Sequence, residues 1–461
     1  MPNPSTTPVA MFDSLSPVHL EAALGKLQRE FESLPAADPE IDRAGIDQVL
    51  TEVASRLGDN FPYPHPLYAG QMLKPPHPVA LLAYSLALHL NPNNHALDGG
   101  RASSAMEKEA IAELAAMIGW TTHLGHLTGG GTMANLEALW VAGRLHPGKR
   151  ILASSQAHYT HSRISEVLGL NFTAVPADHR GRMDPGALAA ELERGDVGTV
   201  VATMGTTALG AVDPLVELLE LRQRHGFRIH ADAAYGGYFS LAGNLDEEAT
   251  AAFAALHETD SVVIDPHKHG LQPYGCGSVL FRDPAVGALY QHDSPYTYFT
   301  SGEMHLGEIS LECSRPGAAA VALWATQRLL PLVRGGGFAR RLGASHQSAV
   351  RLHQMIVGDQ RLAALLPPQL DIVCWGIRAG TASAASGLAR LVFDEAARRD
   401  LHLALVTLPR ALVAHWWPEL EWDQEAVTCL RSCLMKPEHA EWLDRIWSRL
   451  DASIGAAVPA T

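Results

Sequence analysis

A single lysine stands between two histidines in the segment Asp265-Pro266-His267-Lys268-His269, directly after an apolar run. Flanking imidazoles and burial disfavour the ammonium form, and a neutral amine can attack a carbonyl carbon to form a Schiff base. Lone lysines after strands are more often simply exposed. On this pattern, Lys268 is a candidate nucleophile.

A carboxylate and an imidazole follow two other apolar runs. Asp232 comes after Arg228–Ala231 and is followed by small residues, of which Ala234 leaves room for a flat ring. A carboxylate there can keep a heteroaromatic nitrogen protonated, or it can simply begin a turn. His158 follows Arg150–Ser154 and can lay its imidazole on the face of such a ring.

The glycine-rich run Gly129-Gly130-Gly131-Thr132 leads directly into the helical pattern Met133–Leu145. Free N–H groups at a helix start, together with a hydroxyl, form a phosphate cradle, although a glycine cluster is equally compatible with a flexible loop. We predict no metal site, because most of the 23 histidines must be incidental and His158 and His161 lack a third ligand motif.

Short β-rich runs alternate with helical patterns through the middle of the chain. The predicted strands are Arg150–Ser154, Asn171–Val175, Thr199–Met204, Arg228–Ala231, Ser261–Asp265 and Ser278–Phe281. The helical patterns include Asp184–Glu193 and Asp213–His225, the second with Asp213 as its cap before a first-turn proline. Such alternation predicts an α/β fold with a mainly parallel sheet, in which ligands bind beyond the carboxyl ends of the strands.

Composition divides the chain into three parts. Residues 1–65, rich in proline and acidic residues, are predicted to form an N-terminal arm, and residues 66–334 a large domain. After the glycine-rich break at 334–337, residues 335–461 are predicted to form a small α+β domain.

Two more local patterns give predictions. Ser104 and Glu107 have the spacing of a capping box that opens a helix ending near Ile118. The small domain has predicted strands at Leu370–Gly376, Leu388–Phe393 and Ala426–Leu434.

The charge balance argues against two classes of partner. Lys and Arg number 35 against 49 Asp and Glu, a formal net charge of −14, so the surface repels nucleic acid and anionic lipid. The first Lys or Arg is Lys26, so the basic region that a signal peptide needs is not expected here, and the apolar run Val79–Leu88 is too short to span a bilayer. Five cysteines without a Cys-x-x-Cys motif are typical of reduced thiols. We therefore expect a cytoplasmic protein.

The cradle, histidine, carboxylate and lysine follow strands of one sheet in this order. Together they resemble the pyridoxal 5′-phosphate (PLP) enzymes of fold type I, in particular the group II amino acid decarboxylases. These include glutamate, cysteine sulfinate, aromatic amino acid and archaeal tyrosine/aspartate decarboxylases. The resemblance extends from about Pro66 to the C-terminus, with the best motifs at Gly129–Asn135, Gln156–His158, Ala202–Asp213, His230–Gly237 and Asp265–Gly270. It implies an aspartate aminotransferase-like large domain that binds PLP, and a homodimer with shared active sites.

The resemblance implies a role for each matching residue. Lys268 is similar to the lysine that forms the internal aldimine with PLP, His267 to a residue near the phosphate, and Asp232 to the partner of the pyridinium nitrogen. His269 departs from the family pattern, since many relatives carry an aromatic residue or Met there. The other implied cofactor contacts are His158 stacked on the ring, Gly131 and Thr132 at the phosphate, Ala234 under the ring, and Thr206 and Thr207 in a Gly-Thr-Thr run.

Further matches concern the substrate. Tyr296, in the segment Ser294–Phe299, resembles the loop tyrosine that protonates the substrate carbon after carbon dioxide leaves, with Tyr298 as the competing candidate. Arg431 resembles the arginine that binds the substrate α-carboxylate, and its apolar neighbours make an unpaired buried charge costly. Gln71 resembles a substrate-contacting glutamine and favours an acidic or polar side chain.

The implied reaction is decarboxylation of an L-amino acid to its amine, and two alternatives stay open. The carbanion can be diverted to an aldehyde synthase, transaminase-like or carbon–carbon lyase outcome; in this family a Phe at the loop position accompanies such diversion, so Tyr296 argues against it. The chain can also bind PLP without turnover. The residues leave acidic, aromatic and basic substrates open.

Overall fold

A seven-stranded sheet forms the centre of the computed structural model, which describes residues 16–35, 42–291 and 304–458. Its strands are β1 (Leu124–Thr128), β2 (Arg150–Ser154), β3 (Phe172–Val175), β4 (Val197–Thr203), β5 (Arg228–Asp232), β6 (Ser261–Ile264) and β7 (Gly277–Phe281). They lie in the order β1-β7-β6-β5-β4-β2-β3, and only β7 is antiparallel to its neighbours. The mainly parallel sheet is confirmed, and the carboxyl ends of the six other strands meet at one edge.

Helices connect and flank the strands. They are α1 (Ser16–Arg29), α2 (Arg43–Leu57), α3 (Pro78–Leu88), α4 (Arg101–Met117), α5 (Gly131–Leu145), α6 (Thr160–Val167), α7 (Pro185–Leu192), α8 (Leu215–His225), α9 (Glu247–Ala254), α10 (Gly317–Leu329), α11 (Gly337–Val357), α12 (Ala382–Ala397), α13 (Arg410–Val413) and α14 (His439–Ala457). None of the helices in the described ranges is long and apolar enough to cross a membrane.

A second, four-stranded sheet lies in the C-terminal part. Its strands are β8 (Leu362–Ala364), β9 (Ile372–Ile377), β10 (Ala404–Pro409) and β11 (Ala426–Cys433). All neighbours in the order β10-β11-β9-β8 are antiparallel. Its core includes Trp375 and Leu430 from the sheet and Leu443 and Ile446 from α14, all buried. The domain boundaries at 65/66 and 334/335 stay predictions.

The predicted strand Leu388–Phe393 is wrong, because this segment lies within α12. Buried Ala385, Ala389, Val392 and Ala396 recur at helical spacing and place one face of α12 against the core. The short apolar run is compatible with the two-residue period of a strand and with the 3.6-residue period of a helix. The longer pattern around it indicates a helix.

The predicted capping box is also wrong. Helix α4 begins at Arg101, so Ser104 and Glu107 lie inside it and are buried. The Glu107 carboxylate instead accepts the Leu127 N–H at 2.9 Å and pairs with Arg315 at 2.6 Å. Its contacts tie α4 to β1 rather than capping a helix.

Asp213 does not cap α8, contrary to the prediction. The helix starts at Leu215, and the Asp213 carboxylate accepts the N–H groups of Met183 and Thr203, each at 2.7 Å. Burial raises the pKa of Asp213 to about 7, against the opposing effect of these hydrogen bonds. Asp213 therefore fastens the loop after β4 to the chain before α7.

Candidate active site

Residues that follow five strands of the large sheet line one cavity of about 460 Å³. This convergence follows from the topology, because parallel strands present their carboxyl ends at a common edge. The predicted site residues that line it are Gly131, Thr132, His158, Thr207, Asp232, Ala234, His267 and Lys268. These residues therefore lie together around one cavity, and their assigned roles stay predictions.

The glycine-rich turn after β1 forms the wall at the start of α5. Gly130 has φ of 151°, a backbone conformation that favours glycine. At Gly131 an added Cβ would lie 2.6 Å from Oδ2 of Asp265, so a side chain would collide there. Backbone N–H groups at the start of a helix lack intrahelical acceptors and attract anions. The turn therefore suits a phosphate group.

Asp232 is the last residue of β5 and is only 6% exposed. Its Oδ2 lies 2.8 Å from Nε2 of His161, and its Oδ1 accepts the Ala234 N–H at 3.2 Å. Burial alone would raise the pKa of Asp232, but the hydrogen bond from His161 and nearby positive charge, including that of Lys268, bring it below its usual value. Asp232 is therefore a buried anion suited to a protonated ring nitrogen.

Lys268 presents its amine to the cavity, where Nζ lies 3.1 Å from Oδ2 of Asp265. The flanking imidazoles have other partners in this arrangement: Nε2 of His267 is 3.6 Å from the same Asp265 oxygen, and Nε2 of His269 is 3.3 Å from Asp371. The amine thus faces a carboxylate that the sequence analysis did not assign.

His158 lies on the cavity wall in the turn between β2 and α6. Its Nδ1 is 2.8 Å from the Thr160 hydroxyl, which orients the ring. Burial lowers the pKa of His158, only partly opposed by the Asp232 carboxylate. A neutral, oriented imidazole beside Asp232 and Ala234 can pack on a flat ring.

The two threonines after β4 have different positions. Thr207 lines the cavity, whereas Thr206 is fully buried and its hydroxyl accepts the Ala211 N–H at 3.0 Å. Thr206 therefore stabilises the turn that presents Thr207, and it is not among the lining residues.

Arg431, on β11, reaches this turn from the small sheet. Its guanidinium donates to the carbonyls of Thr207 and Ala208 at 2.7 and 3.1 Å and to Oε1 of Gln71 at 3.2 Å. Arg431 is 5% exposed, and no described carboxylate forms an ion pair with it. A nearly buried cation thus lies beside the cavity, held by neutral acceptors. The predicted loop tyrosines, Tyr296 and Tyr298, lie outside the described residues.

Sequence reasoning missed two residues of the site, His161 and Asp265. His161 was considered only as a metal ligand, and Asp265 only as the end of a strand. One signal for His161 was available, since it follows His158 by three residues and so lies one helical turn away. No group of three or more His, Cys, Asp or Glu side chains in the described ranges could hold a metal ion.

Residues 140–378 match the family model of the pyridoxal-dependent decarboxylase conserved domain, which covers just over half of the chain. The L-tyrosine decarboxylase of Enterococcus faecium is 28% identical over 411 residues, which cover 67% of each chain. A probable L-tyrosine/L-aspartate decarboxylase of Methanothrix thermoacetophila is 32% identical over 285 residues, covering 61% of this chain and 69% of the relative.

Solved structures share the fold at low sequence identity. The crystal structure of mouse CSAD superimposes with a TM-score of 0.76 and 21% identity, covering 93% of this chain and 92% of that one. The crystal structure of Oryza sativa TDC with PLP and tryptamine gives a TM-score of 0.77 and 18% identity, covering 99% and 100%. The fold type I expectation is confirmed.

The cavity fits PLP on its own geometry. It offers a glycine turn that a Cβ would block, a buried carboxylate at Asp232, and the amine of Lys268. These groups suit the phosphate, the ring nitrogen and the aldehyde of the cofactor, respectively. Together with the match to the family model, they show that the chain belongs to the pyridoxal-dependent decarboxylase family and is a PLP-dependent amino acid decarboxylase.

Proposed function

We propose that the enzyme decarboxylates L-tyrosine to its amine and carbon dioxide. The observation that carries the proposal is Arg431, a nearly buried cation bound to the carbonyl of the cavity residue Thr207 at 2.7 Å. An α-amino acid needs a site for its carboxylate next to a site for its amine. Lys268 lines the cavity and Arg431 contacts the lining residue Thr207, so the two side chains are our candidates for these functions.

Each cavity residue has a role in the proposal. When bound, PLP supplies a conjugated ring that accepts the electron pair left when the α-carboxylate departs. Lys268 holds the cofactor through its amine, and Asp232 keeps the ring nitrogen protonated. Gly131 and Thr132 bind the phosphate, while His158 packs on the ring and excludes water from that face.

Arg431 binds and orients the α-carboxylate. A guanidinium has five N–H donors, and three directions are already occupied by Thr207, Ala208 and Gln71, which hold the side chain in place. The remaining N–H groups are available to a planar carboxylate, a favourable partner for a buried guanidinium. Orientation of this kind sets which substrate bond is broken.

The choice of L-tyrosine has two supports. Several curated relatives are named L-tyrosine decarboxylase, from Enterococcus faecium, Levilactobacillus brevis and Enterococcus faecalis. In addition, Lys268 is the one Lys or Arg among the described residues that line the cavity, and Arg431 beside it is assigned to the α-carboxylate, so these residues offer no further cation for a side-chain carboxylate. L-tyrosine should therefore be preferred over L-aspartate.

Tyr296 is our proposed proton donor to the substrate carbon. Tyr296→Phe should lower amine formation and divert product to the aldehyde, whereas Tyr298→Phe should leave the product unchanged. Mass analysis of the products separates the two. The reverse pattern would transfer the role to Tyr298, and unchanged product in both variants would refute a loop tyrosine as the donor.

The test of the proposal loads the purified protein with PLP and offers a pool of the twenty amino acids, with diaminobutyrate and cysteine sulfinate added. Loss of L-tyrosine and gain of an amine lighter by carbon dioxide is the expected result. An aldehyde or keto acid would favour the diverted reaction, and a different consumed amino acid would correct the substrate. Lys268→Ala should abolish turnover and the colour of the bound cofactor; a coloured variant would contradict the role of Lys268.

The proposal includes a homodimer with shared active sites. Helix α2 carries Ile46, Val49, Leu50, Val53 and Leu57 at helical spacing, and each is at least 44% exposed. No residue of α2 is buried. A contiguous apolar stripe of this kind is typical of a protein–protein interface, and a second copy of the chain is the partner we propose.

We also propose a cytoplasmic location. All five cysteines are free, and Cys313 is exposed. An exposed free thiol persists most readily in a reducing compartment. Fractionation of cells that express the protein at natural levels would test this.

A further inference from the structure

His161 is a buried histidine that the proposed reaction leaves without a role. It is the second residue of α6 and is fully buried, 2.8 Å from the Asp232 carboxylate through its Nε2. The other ring nitrogen, Nδ1, is buried and has no hydrogen-bond partner among the described residues. One side of the ring thus contacts a carboxylate, and the other contacts no acceptor.

The two ring nitrogens of His161 have different surroundings. A histidine with one N–H can donate from Nε2 to Asp232 and leave Nδ1 as an unprotonated nitrogen. A doubly protonated ring would carry a buried N–H at Nδ1 without an acceptor, which is unfavourable. The contact of the ring with Asp232 is therefore one hydrogen bond from Nε2.

The imidazole next to His161 is that of His230, which is also buried. His230 lies edge-on to His161 with ring centroids 6.4 Å apart, and its nitrogens face Asn135 and Ser261 at 2.8 and 2.9 Å. Burial lowers the pKa of His230 to about 3. Among the described side chains, His161 is thus the hydrogen-bond donor to Asp232, and the imidazole of His230 behind it is held by other partners.

We propose that His161 is a positioning residue for the cofactor. Its Nε2–H holds Oδ2 of Asp232 in place and keeps the carboxylate ionised, and the carboxylate in turn keeps the proton on the ring nitrogen of PLP. The inference rests on the proposed role of Asp232. A lysine or arginine in place of His161 would hold the carboxylate equally well but would weaken its pull on the ring proton, because it would cancel the charge.

The segment from His158 to His161 places two histidines on different sides of the proposed cofactor site. His158 precedes α6 and lines the cavity, whereas His161 lies three residues later and faces Asp232 from the buried side. Both side chains therefore bear on the same ring, one on its face and one through the carboxylate at its nitrogen.

The experiment compares the affinity of the full-length protein for PLP and for 1-deazapyridoxal phosphate, which has carbon in place of the ring nitrogen. In His161→Leu, PLP should bind roughly tenfold to a hundredfold more weakly, the range expected for one lost hydrogen bond to a charged group. Affinity for the deaza analogue should stay within about twofold. His161→Gln, whose amide N–H can replace Nε2–H, should recover most of the PLP affinity.

Two further variants guard against trivial explanations. The asparagine in His161→Asn is polar but too short to reach Asp232, so PLP binding should weaken as it does in His161→Leu. This variant replaces His161→Leu in the comparison if the leucine variant folds poorly. His126→Leu breaks an equally buried pair, with Glu137 at 3.0 Å, that does not line the cavity. It should leave the ratio of PLP to analogue affinity unchanged.

A second measurement reads the proton directly. The ¹⁵N chemical shift of ring-labelled PLP should indicate a protonated nitrogen in the wild type and move toward the unprotonated value in His161→Leu. An unchanged affinity ratio and an unchanged shift in both donor-loss variants would overturn the proposal. If Asp232→Asn alone changes them, the role of Asp232 stands and that of His161 fails; if Asp232→Asn changes neither, the proposed role of Asp232 fails.

Discussion

The amine of Lys268 lies 3.1 Å from Oδ2 of Asp265, and the same carboxylate lies against the backbone of Gly131. One acidic side chain therefore separates the lysine from the glycine turn. A side chain at position 131 would meet the Asp265 carboxylate, so we expect cofactor binding to depend on the size of residue 131.

Gly131→Ala should weaken PLP binding at least about tenfold, or more than about 1.4 kcal/mol. The new Cβ would lie 2.6 Å from Oδ2 of Asp265, so either the turn or the carboxylate must move. Titration of the apoprotein with PLP, followed by absorbance, measures the affinity.

Gly129→Ala is the matched control for this prediction. Its Cβ would meet only Oε1 of Glu312 at 3.5 Å, an ordinary contact. The affinity should change less than about threefold. Equal effects of the two substitutions would show that the turn tolerates no side chain anywhere, and would contradict the specific role of Gly131.

Arg431→Lys should raise KM for L-tyrosine roughly tenfold to a hundredfold, with a smaller effect on kcat. Lysine keeps the charge, but it cannot bond to Thr207, Ala208 and Gln71 while also presenting two parallel donors to a carboxylate. Steady-state kinetics gives the two parameters separately.

Inhibition by the product amine provides the control for Arg431. The amine has no α-carboxylate, so its inhibition constant should be the same for the wild type and Arg431→Lys. If amine binding weakens as much as substrate binding does, Arg431 acts on the shape of the cavity and not on the carboxylate.

The sequence predicts the large sheet well, because its strands are short apolar runs between turns. The boundaries of β2 are as predicted, those of β3, β5, β6 and β7 differ by one residue at one end, and β4 differs by one or two residues at each end. β1 was missed because Leu124-Gly125-His126-Leu127-Thr128 has little β-branched character and includes a glycine. Its place at the sheet edge comes from pairing with β7.

The grouping of Asp232 and Lys268 at one cavity was predictable, because each follows or ends a strand of the same sheet, while their roles stay predictions. The contacts that these groups make with other side chains were not predictable, because they join residues that are far apart in the sequence. His161 and Asp232 are 71 residues apart in the chain, and Arg431 and Thr207 are 224 apart. No local pattern encodes such a pair, so the sequence shows which groups are available but not which of them meet.

Asp371→Ala should lower the free energy of unfolding by about 3 kcal/mol. The fully buried Asp371 precedes β9, accepts the Tyr235 hydroxyl and faces His269 at 3.3 Å, so it joins the small sheet to the cavity wall. Tyr235→Phe should cost about 1 kcal/mol, because it removes a single hydrogen bond. Urea denaturation measures both.

Asp423→Ala is the control for Asp371. Asp423 is exposed and accepts the Ser383 N–H at 2.9 Å on the same sheet's periphery. The loss should stay below about 1 kcal/mol. A comparable loss in the free energy of unfolding at both positions would mean that Asp371 stabilises the fold no more than an exposed hydrogen-bonding residue does.

Acid should destabilise the protein through its buried histidines. Burial lowers the pKa of His230 and of His439 to about 3, below the unfolded value of about 6.5. The unfolded state then binds more protons, so stability is present above pH ~6.5 and is lost as pH falls toward 3. Each histidine should cost about 2 kcal/mol between pH 7 and 5.

The slope of stability against pH provides the test. Urea denaturation of the wild type from pH 7 to 5 should show the loss, and His439→Gln should reduce the slope by about 1.4 kcal/mol per pH unit below pH 6. A flat profile in the wild type would contradict a lowered pKa of these two rings in the folded protein.

Leu50→Glu should separate the proposed homodimer into single chains. Leu50 is 59% exposed at the centre of the apolar stripe of α2, and a carboxylate buried there against a second copy would lack a counterion. Light scattering after gel filtration measures the mass. Gln48→Glu adds the same charge to the opposite face of α2 and should leave the dimer intact. If Leu50→Glu remains dimeric, the two chains associate through another surface; if the wild type is already monomeric at micromolar concentration, a different partner must cover the stripe.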